Sequence, residues 1–323
     1  MLRVRRRTNI ISGLVVFFIA LVLFLHRLDA LDDGLYDLFL RSWPALLILT
    51  GLTVLLGSRI PFGKIFAFVL TVALVAVVSV FAFSSRADEQ RDEYQEVISQ
   101  PVDIGINLLT LRVQTLSTDV ELVRRVDDSN VIQGEFVGSE ESVITVEYVE
   151  SEPDAQGIVV ASFSLVEERQ SAFPKLEALG RGTLRLEIPA NIPLDVDFVG
   201  EAGNVSLNMD DLAIERLNVN LGNGDVVVAL PEYDPVNTGD DDSLGTLAAH
   251  DGDITLIVPE SLDARFDLQL GGSGRSPEYD AGMFNYLVGD VLESRTIESA
   301  DFVVNYTVVS PHGVIRVQSP SGG

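Results

Sequence analysis

The sequence predicts a membrane-anchored protein: three N-terminal transmembrane α-helices followed by an all-β, β-helix-like extracytoplasmic domain. Three observations predict it. Three apolar runs fall before Arg86. From Val102 onward apolar and polar residues alternate, the period of a strand with one buried face. A short glycine-led phrase returns through the second half at steps of twenty to thirty residues, as stacked β-units do.

The expected domains are 1–86, membrane helices; 87–101, a juxtamembrane linker; 102–318, the β-domain; and 319–323, a tail. Asn9 to Leu25 follows the basic cluster Arg3, Arg5, Arg6 and Arg7. Trp43 to Gly57 and Ile65 to Phe83 are the second and third runs. A spanning helix needs roughly 20 apolar residues, and Leu38 to Leu40 lengthen the second run if Arg41 snorkels. Pro44, in a first helical turn, gives up a donor that is not needed there. Leu28-Asp29-Ala30 is a poor signal-peptidase site. The N-terminal arginines and the Arg59–Lys64 loop place one side in the cytoplasm, and three spans then put everything after Phe83 outside.

Ser84 to Gln100 is polar and charged, a helical stalk or a flexible linker. Asn107–Thr115, Val131–Val137, Val143–Val149 and Ile158–Val166 read as strands. Glu167 to Gly180 is mixed and reads as loop with a helical turn. The repeat follows. Gly203-Asn-Val-Ser-Leu207 returns as Gly224-Asp-Val-Val-Val228 and Gly252-Asp-Ile-Thr-Leu256. Thr118-Asp-Val-Glu-Leu122 is a weaker copy and Gly313-Val-Ile-Arg-Val317 a degenerate one. Gly with Asn or Asp supplies the sharp corner between strands. Pro189-Ala-Asn-Ile192 and Pro259-Glu-Ser-Leu262 repeat a second phrase ahead of further strands. In-register repeats predict Val205, Val226 and Ile254 in one buried column, with Leu207, Val228 and Leu256 beside them. Asp234–Gly245 and Ser273–Asn285 read as exposed loops. Phe302–Val308 and Val314–Val317 read as a closing hairpin.

The phrase from Pro189 to Pro231, with its IPLDV segment, glycine corners and GDVVVALP ending, resembles the C-terminal domain of LiaF-like and adhesin-like "toast-rack" proteins. The first apolar run and Ser42-Trp-Pro-Ala-Leu-Leu resemble the LiaF-like membrane region. The resemblance implies a β-helix-like stack of short strands. It also implies a bacterial regulator of envelope stress that restrains a membrane histidine kinase. A structural or adhesin-like surface protein, binding wall polymer or another protein through its repetitive face, is the alternative. The expected partners are the lipid bilayer and that kinase or another envelope protein.

Charge and composition bound the chemistry. The net charge of −26 is uneven: nine basic residues face four acidic up to Arg86, leaving 13 basic against 44 acidic beyond it. Such a domain repels nucleic acid. The acidity serves solubility or attracts cations and basic peptides. With no cysteine there is no disulfide and no thiolate metal site.

His26, His250 and His312 are scattered. No HExxH, GxSxG or P-loop occurs, and Gly222-Asn-Gly224 lacks the third glycine of a dinucleotide fingerprint. Asp240-Asp241-Asp242 offers oxygen ligands for calcium without the spacing of an EF-hand. Asp210-Asp211 and Glu140-Glu141 are adjacent carboxylates, which in a strand point to opposite faces. We therefore expect no catalytic residues, no metal ligands, no cofactor and no enzyme.

Overall fold

A computed structural model describes residues 91–127, 129–170, 181–235, 243–272 and 275–320. Residues 90–170 and 181–323 form one compact unit. Its strands are β1 (Tyr94–Pro101), β2 (Leu108–Arg124), β3 (Val131–Gly138), β4 (Ser142–Glu150), β5 (Val160–Arg169) and β6 (Gly182–Ile188). Then come β7 (Leu194–Ala202), β8 (Val205–Asn208), β9 (Ile214–Asn223), β10 (Val226–Ala229), β11 (Thr246–Asp251) and β12 (Ile254–Ile257). The last six are β13 (Ala264–Leu270), β14 (Glu278–Tyr279), β15 (Phe284–Leu287), β16 (Val291–Ser294), β17 (Val304–Ser310) and β18 (Ile315–Gln318).

The strands make two sheets joined by β2, which bends from one into the other. In the first sheet the order is β1-β3-β6-β2-β8-β10-β12-β18-β14. In the second it is β4-β5-β2-β7-β9-β11-β17-β13-β16-β15. From β6 to β14 and from β5 to β13 every pairing is parallel. Antiparallel strands close the ends of the second sheet and one end of the first.

Each rung has one strand in each sheet, and in the middle of the stack the two are joined at a glycine corner: β7 to β8 at Gly203, β9 to β10 at Gly224, β11 to β12 at Gly252. Alternation in sequence then fills the space between the sheets. Val120, Val205, Val226, Ile254 and Ile315 are partners across successive strands, as are Leu122, Leu207, Val228, Leu256 and Val317. From Val205 to Val317 all of these are exposed by 1 % or less. The expected column is present. Facing it, Val113, Phe198, Val219, Leu247, Val308 and Leu268 form the corresponding line of the second sheet.

The order of the rungs departs from the order of the chain at both ends. The β2 rung lies between the β5/β6 rung and the β7/β8 rung. The last rung, β17/β18, lies between β11/β12 and β13/β14. Only the middle of the stack is sequential.

Several expectations are corrected. The fold class is all-β. The one helical element among the described residues is a 3-10 turn, Ile297–Ser299. No helix there is long and apolar enough to cross a membrane. Among the described residues strand alternation interrupts the apolar sequence every second residue, so no continuous apolar run of membrane length arises there. For the described residues this corrects the expected fold class, three transmembrane helices with a β-domain, and the multi-pass membrane localisation to an all-β unit with no membrane-spanning helix. The three apolar runs themselves lie outside the described residues, as does the acidic segment Asp240–Asp242.

Within the β-unit, Tyr94–Pro101 is a strand paired with β3 rather than linker. Glu167 to Arg169 extend β5, and 171–180 lie outside the described residues. The loop expected at 273–285 carries β14 and the start of β15. The closing hairpin is absent: β17 pairs with β11 and β13, while β18 pairs with β12 and β14 in the other sheet. Gly313 is a corner between sheets, not a reversal within one.

Candidate binding surface

The corners form a column of their own. A Cβ on Gly203 would stand 2.2 Å from the Thr118 carbonyl oxygen, and one on Gly224 1.9 Å from that of Gly203. The series continues from Gly252 to the Gly224 oxygen at 1.9 Å and from Gly313 to the Gly252 oxygen at 1.8 Å. Gly203 and Gly224 also have φ of +117° and +128°. Gly252 does not lie in that region, so close approach alone demands its missing side chain.

Beside the glycines runs a ladder of short polar side chains. The Asn204 N–H donates to Asp119 Oδ1 at 2.7 Å and the Asp225 N–H to Asn204 Oδ1 at 3.2 Å. The Asp253 N–H donates to Asp225 Oδ1, and the Val314 N–H to Asp253 Oδ1, both at 2.9 Å. Each side chain thus serves a backbone donor of the next rung. Arginines close the ladder at its ends: Arg181 lies 3.6 Å from Asp119 and Arg316 2.7 Å from Asp253. The Val314 N–H and then the Arg316 guanidinium hold the Asp253 carboxyl below the usual carboxylate range.

The outer face of the first sheet presents an in-register row: Arg185, Glu121, Ser206, Val227, Thr255, Arg316, Glu278. Neighbouring parallel strands lie about 4.8 Å apart. The row's middle is short, with Ser206 exposed and Val227 and Thr255 half-exposed, and Ala229 and Ile257 continue it two residues along. Its ends are long and charged: Arg185 donates to Glu121 at 2.7 Å, and Arg316 to Glu278 at 2.8 Å. The result is a flat strip of low side chains between two ion pairs.

The outer face of the second sheet is more polar. Arg112 pairs with Asp197 across β2 and β7, and Asp195 with Arg216 across β7 and β9. Burial pushes the Asp195 carboxyl up; Arg216 and Arg112 oppose this and Asp197 adds to it.

Among the described residues, the titratable side chains singled out in the sequence lie at three separate places. His250 and His312 do meet, rings edge-on with centroids 5.8 Å apart, and His312 Nδ1 lies 2.7 Å from Asp251 Oδ1. All three are exposed. Among the described residues no group of three or more His, Cys, Asp or Glu could hold a metal ion. Asp210 and Asp211 sit in the turn between β8 and β9, where Asp211 has φ of +58° and pairs with Arg124 at 2.6 Å. Glu140 and Glu141 sit in the turn before β4.

Two features were not legible in the sequence. Glu167 is 4 % exposed. Its carboxylate accepts from the Leu116 N–H (2.7 Å), Ser117 N–H (3.3 Å), Thr118 Oγ1 (2.8 Å) and Ser142 Oγ (2.9 Å). The first three donors belong to the bend where β2 changes sheets and Ser142 opens β4, so the group fixes that bend against the start of β4. At the opposite corner, Pro231, Tyr233, Leu262 and Tyr306 line a small apolar crevice. Tyr233 donates to Glu215, which a bulge in β9 turns inward, at 2.7 Å. Burial and that carboxylate push the Tyr233 hydroxyl up to about 12.

No protein-family model and no curated protein matches the chain, so the LiaF-like resemblance rests on its motifs alone. A solved structure does match. It is a candidate cell adhesion protein from Clostridium sporogenes, with a TM-score of 0.55 and 12 % identity over 70 % of this chain and 100 % of that one. The likeness shows the fold: a toast-rack-like β-architecture shared with an adhesin-like protein. A candidate adhesin from Bacteroides fragilis aligns over 72 % of this chain and 99 % of its own at 11 % identity, with a TM-score of 0.21, too low to indicate a shared fold.

Proposed function

We propose that this chain is a non-enzymatic, adhesin-like surface-binding protein that holds wall polymer or another protein on the outer face of its first sheet. The carrying observation is the in-register strip Ser206, Val227, Thr255 with Ala229 and Ile257. It is flat, built on rigid paired strands, and framed by the Arg185–Glu121 and Arg316–Glu278 ion pairs. The fold shared with a candidate cell adhesion protein supports the same reading. Regulation of envelope stress through a histidine kinase rests on the sequence resemblance, and nothing in the geometry favours it over binding.

The test is binding of the full chain to purified wall polymers and to immobilised surface proteins, repeated with Val227→Arg and Thr255→Arg. Both side chains are half-exposed, so the variants keep the fold. Loss of binding with an unchanged melt supports the reading. Binding unaffected by both variants, or retention of a histidine kinase alone, overturns it.

A further inference from the structure

We infer that the β4 edge of the second sheet docks a second copy of this chain, strand to antiparallel strand, about a two-fold axis at Val146. Among the described residues β4 pairs with β5 alone. The register runs unbroken from Ser142 to Glu150, so no bulge twists this edge away. The segment SVITVEYVE contains no Lys, Arg or Pro, and Glu147 and Glu150 are its only charges. Lys and Pro are among the devices by which sheet edges are normally blunted.

Which backbone groups face outward follows from the hydrogen bonds. The Gln170 N–H donates to the Glu141 carbonyl at 3.0 Å, and the Ser151 N–H to the Val160 carbonyl at 2.8 Å. Both pairs continue the β4–β5 register, so odd-numbered positions bond to β5. The N–H and C=O groups of Ile144, Val146, Tyr148 and Glu150 therefore point to the free edge.

The other edges are less suited. β14 has 2 residues and β15 has 4. In β1 the Val102 N–H bonds to the Asn130 carbonyl, so even positions face β3 and odd ones face out. Pro101 stands at one of those outward positions and has no N–H to give.

A second copy fits the β4 edge with no two carboxylates directly opposed. With Val146 opposite Val146 of the mate, all nine residues pair. Ile144 meets Tyr148 of the mate, Glu147 meets Thr145, and Glu150 meets Ser142, so no two carboxylates are directly opposed. Centring on Glu147 would set that carboxylate against its own copy. Val146 and Val149, 36 % and 53 % exposed, become covered. The pairing does not depend on the binding role of the first sheet, which lies on different strands.

The chain has no native cysteine, so single cysteines report the register directly. A hydrogen-bonded antiparallel pair holds its Cα atoms about 5.5 Å apart, inside the range of about 4.4–6.8 Å that a disulfide bridges. Full-length Val146→Cys, treated with diamide at micromolar concentration, is expected to give a disulfide-linked dimer. A mixture of Thr145→Cys and Glu147→Cys, both exposed positions, should give the mixed dimer. Val149→Cys alone should stay monomeric, because its two copies stand six residues apart along the strands, about 20 Å. Absence of both expected cross-links overturns the proposal, and so does Val149→Cys cross-linking as readily as Val146→Cys.

Discussion

Gly224 lies over Gly203 so closely that a Cβ on the upper residue would stand 1.9 Å from the carbonyl oxygen of the lower. Replacing Gly224 with Ala should lower the unfolding free energy by about 3 kcal/mol or more, since φ strain and backbone overlap act together. Gly252→Ala meets the overlap without the φ strain and should cost about 2 kcal/mol. Gly157→Ala has a φ of +79° but nothing within 4 Å, and should cost no more than about 1–2 kcal/mol. Urea unfolding of the three variants gives the ranking. Equal losses would mean that close approach is not what selects glycine at the corners.

The buried column makes a second expectation. Leu207 and Leu256 are 1 % and 0 % exposed, and each is flanked by partners above and below. Leu207→Ala or Leu256→Ala should cost about 2–5 kcal/mol. A loss under 1 kcal/mol in chemical denaturation would contradict the packing.

Glu167 distinguishes charge from hydrogen bonding. Glu167→Gln keeps an acceptor for the Leu116 and Ser117 N–H groups and should cost about 1 kcal/mol. Glu167→Ala leaves those donors buried without it and should cost about 3 kcal/mol. Similar melting temperatures for the two variants would show that the β2 bend is held by other contacts.

Two carboxylates should tilt the pH profile in opposite directions. The folded pKa of Asp253 lies below the ordinary 3.8. Its stabilisation is therefore complete above the unfolded value and lost as pH falls through the folded one. Asp253→Asn should weaken the protein at pH 7 and flatten its acid limb. The folded pKa of Asp195 is raised. Its contribution is full below the unfolded value and lost as pH rises through the folded one, so Asp195→Asn should stabilise at pH 7 and change little at pH 3. Urea midpoints at both pH values decide it, and shifts of the same sign would refute the assignment.

The corners were legible because Gly203, Gly224 and Gly252 each follow an alternating strand and precede another, so turn chemistry and period agree. Even Gly313, in a degenerate phrase, is a full member of the column. The order of the rungs was not legible. Every parallel strand offers its neighbour the same alternation, so nothing local says that β2 lies beside β8 or that β18 lies between β12 and β14. Strands of two to four residues, β14 and β15, are too short to show a period. His250 and His312 meet because their rungs are adjacent in space although 62 positions apart in sequence. Glu167 read as the start of a loop because its donors lie 25 to 51 positions earlier in the chain.

The displaced end rungs bear on how the molecule responds to tension. The last rung is held on both flanks, β17 between β11 and β13 and β18 between β12 and β14. A pull on the C-terminal end cannot peel strands away one at a time from an outer edge. It must shear an interior layer against two neighbours at once, with many hydrogen bonds strained together. The other end differs: β2 is gripped by β5 and β7 in one sheet and by β6 and β8 in the other, but β1 before it stands at the sheet edge, paired among the described residues with β3 alone. A solenoid threaded in simple order would unravel under traction from its last coil; in this one the last coil is clasped from both sides.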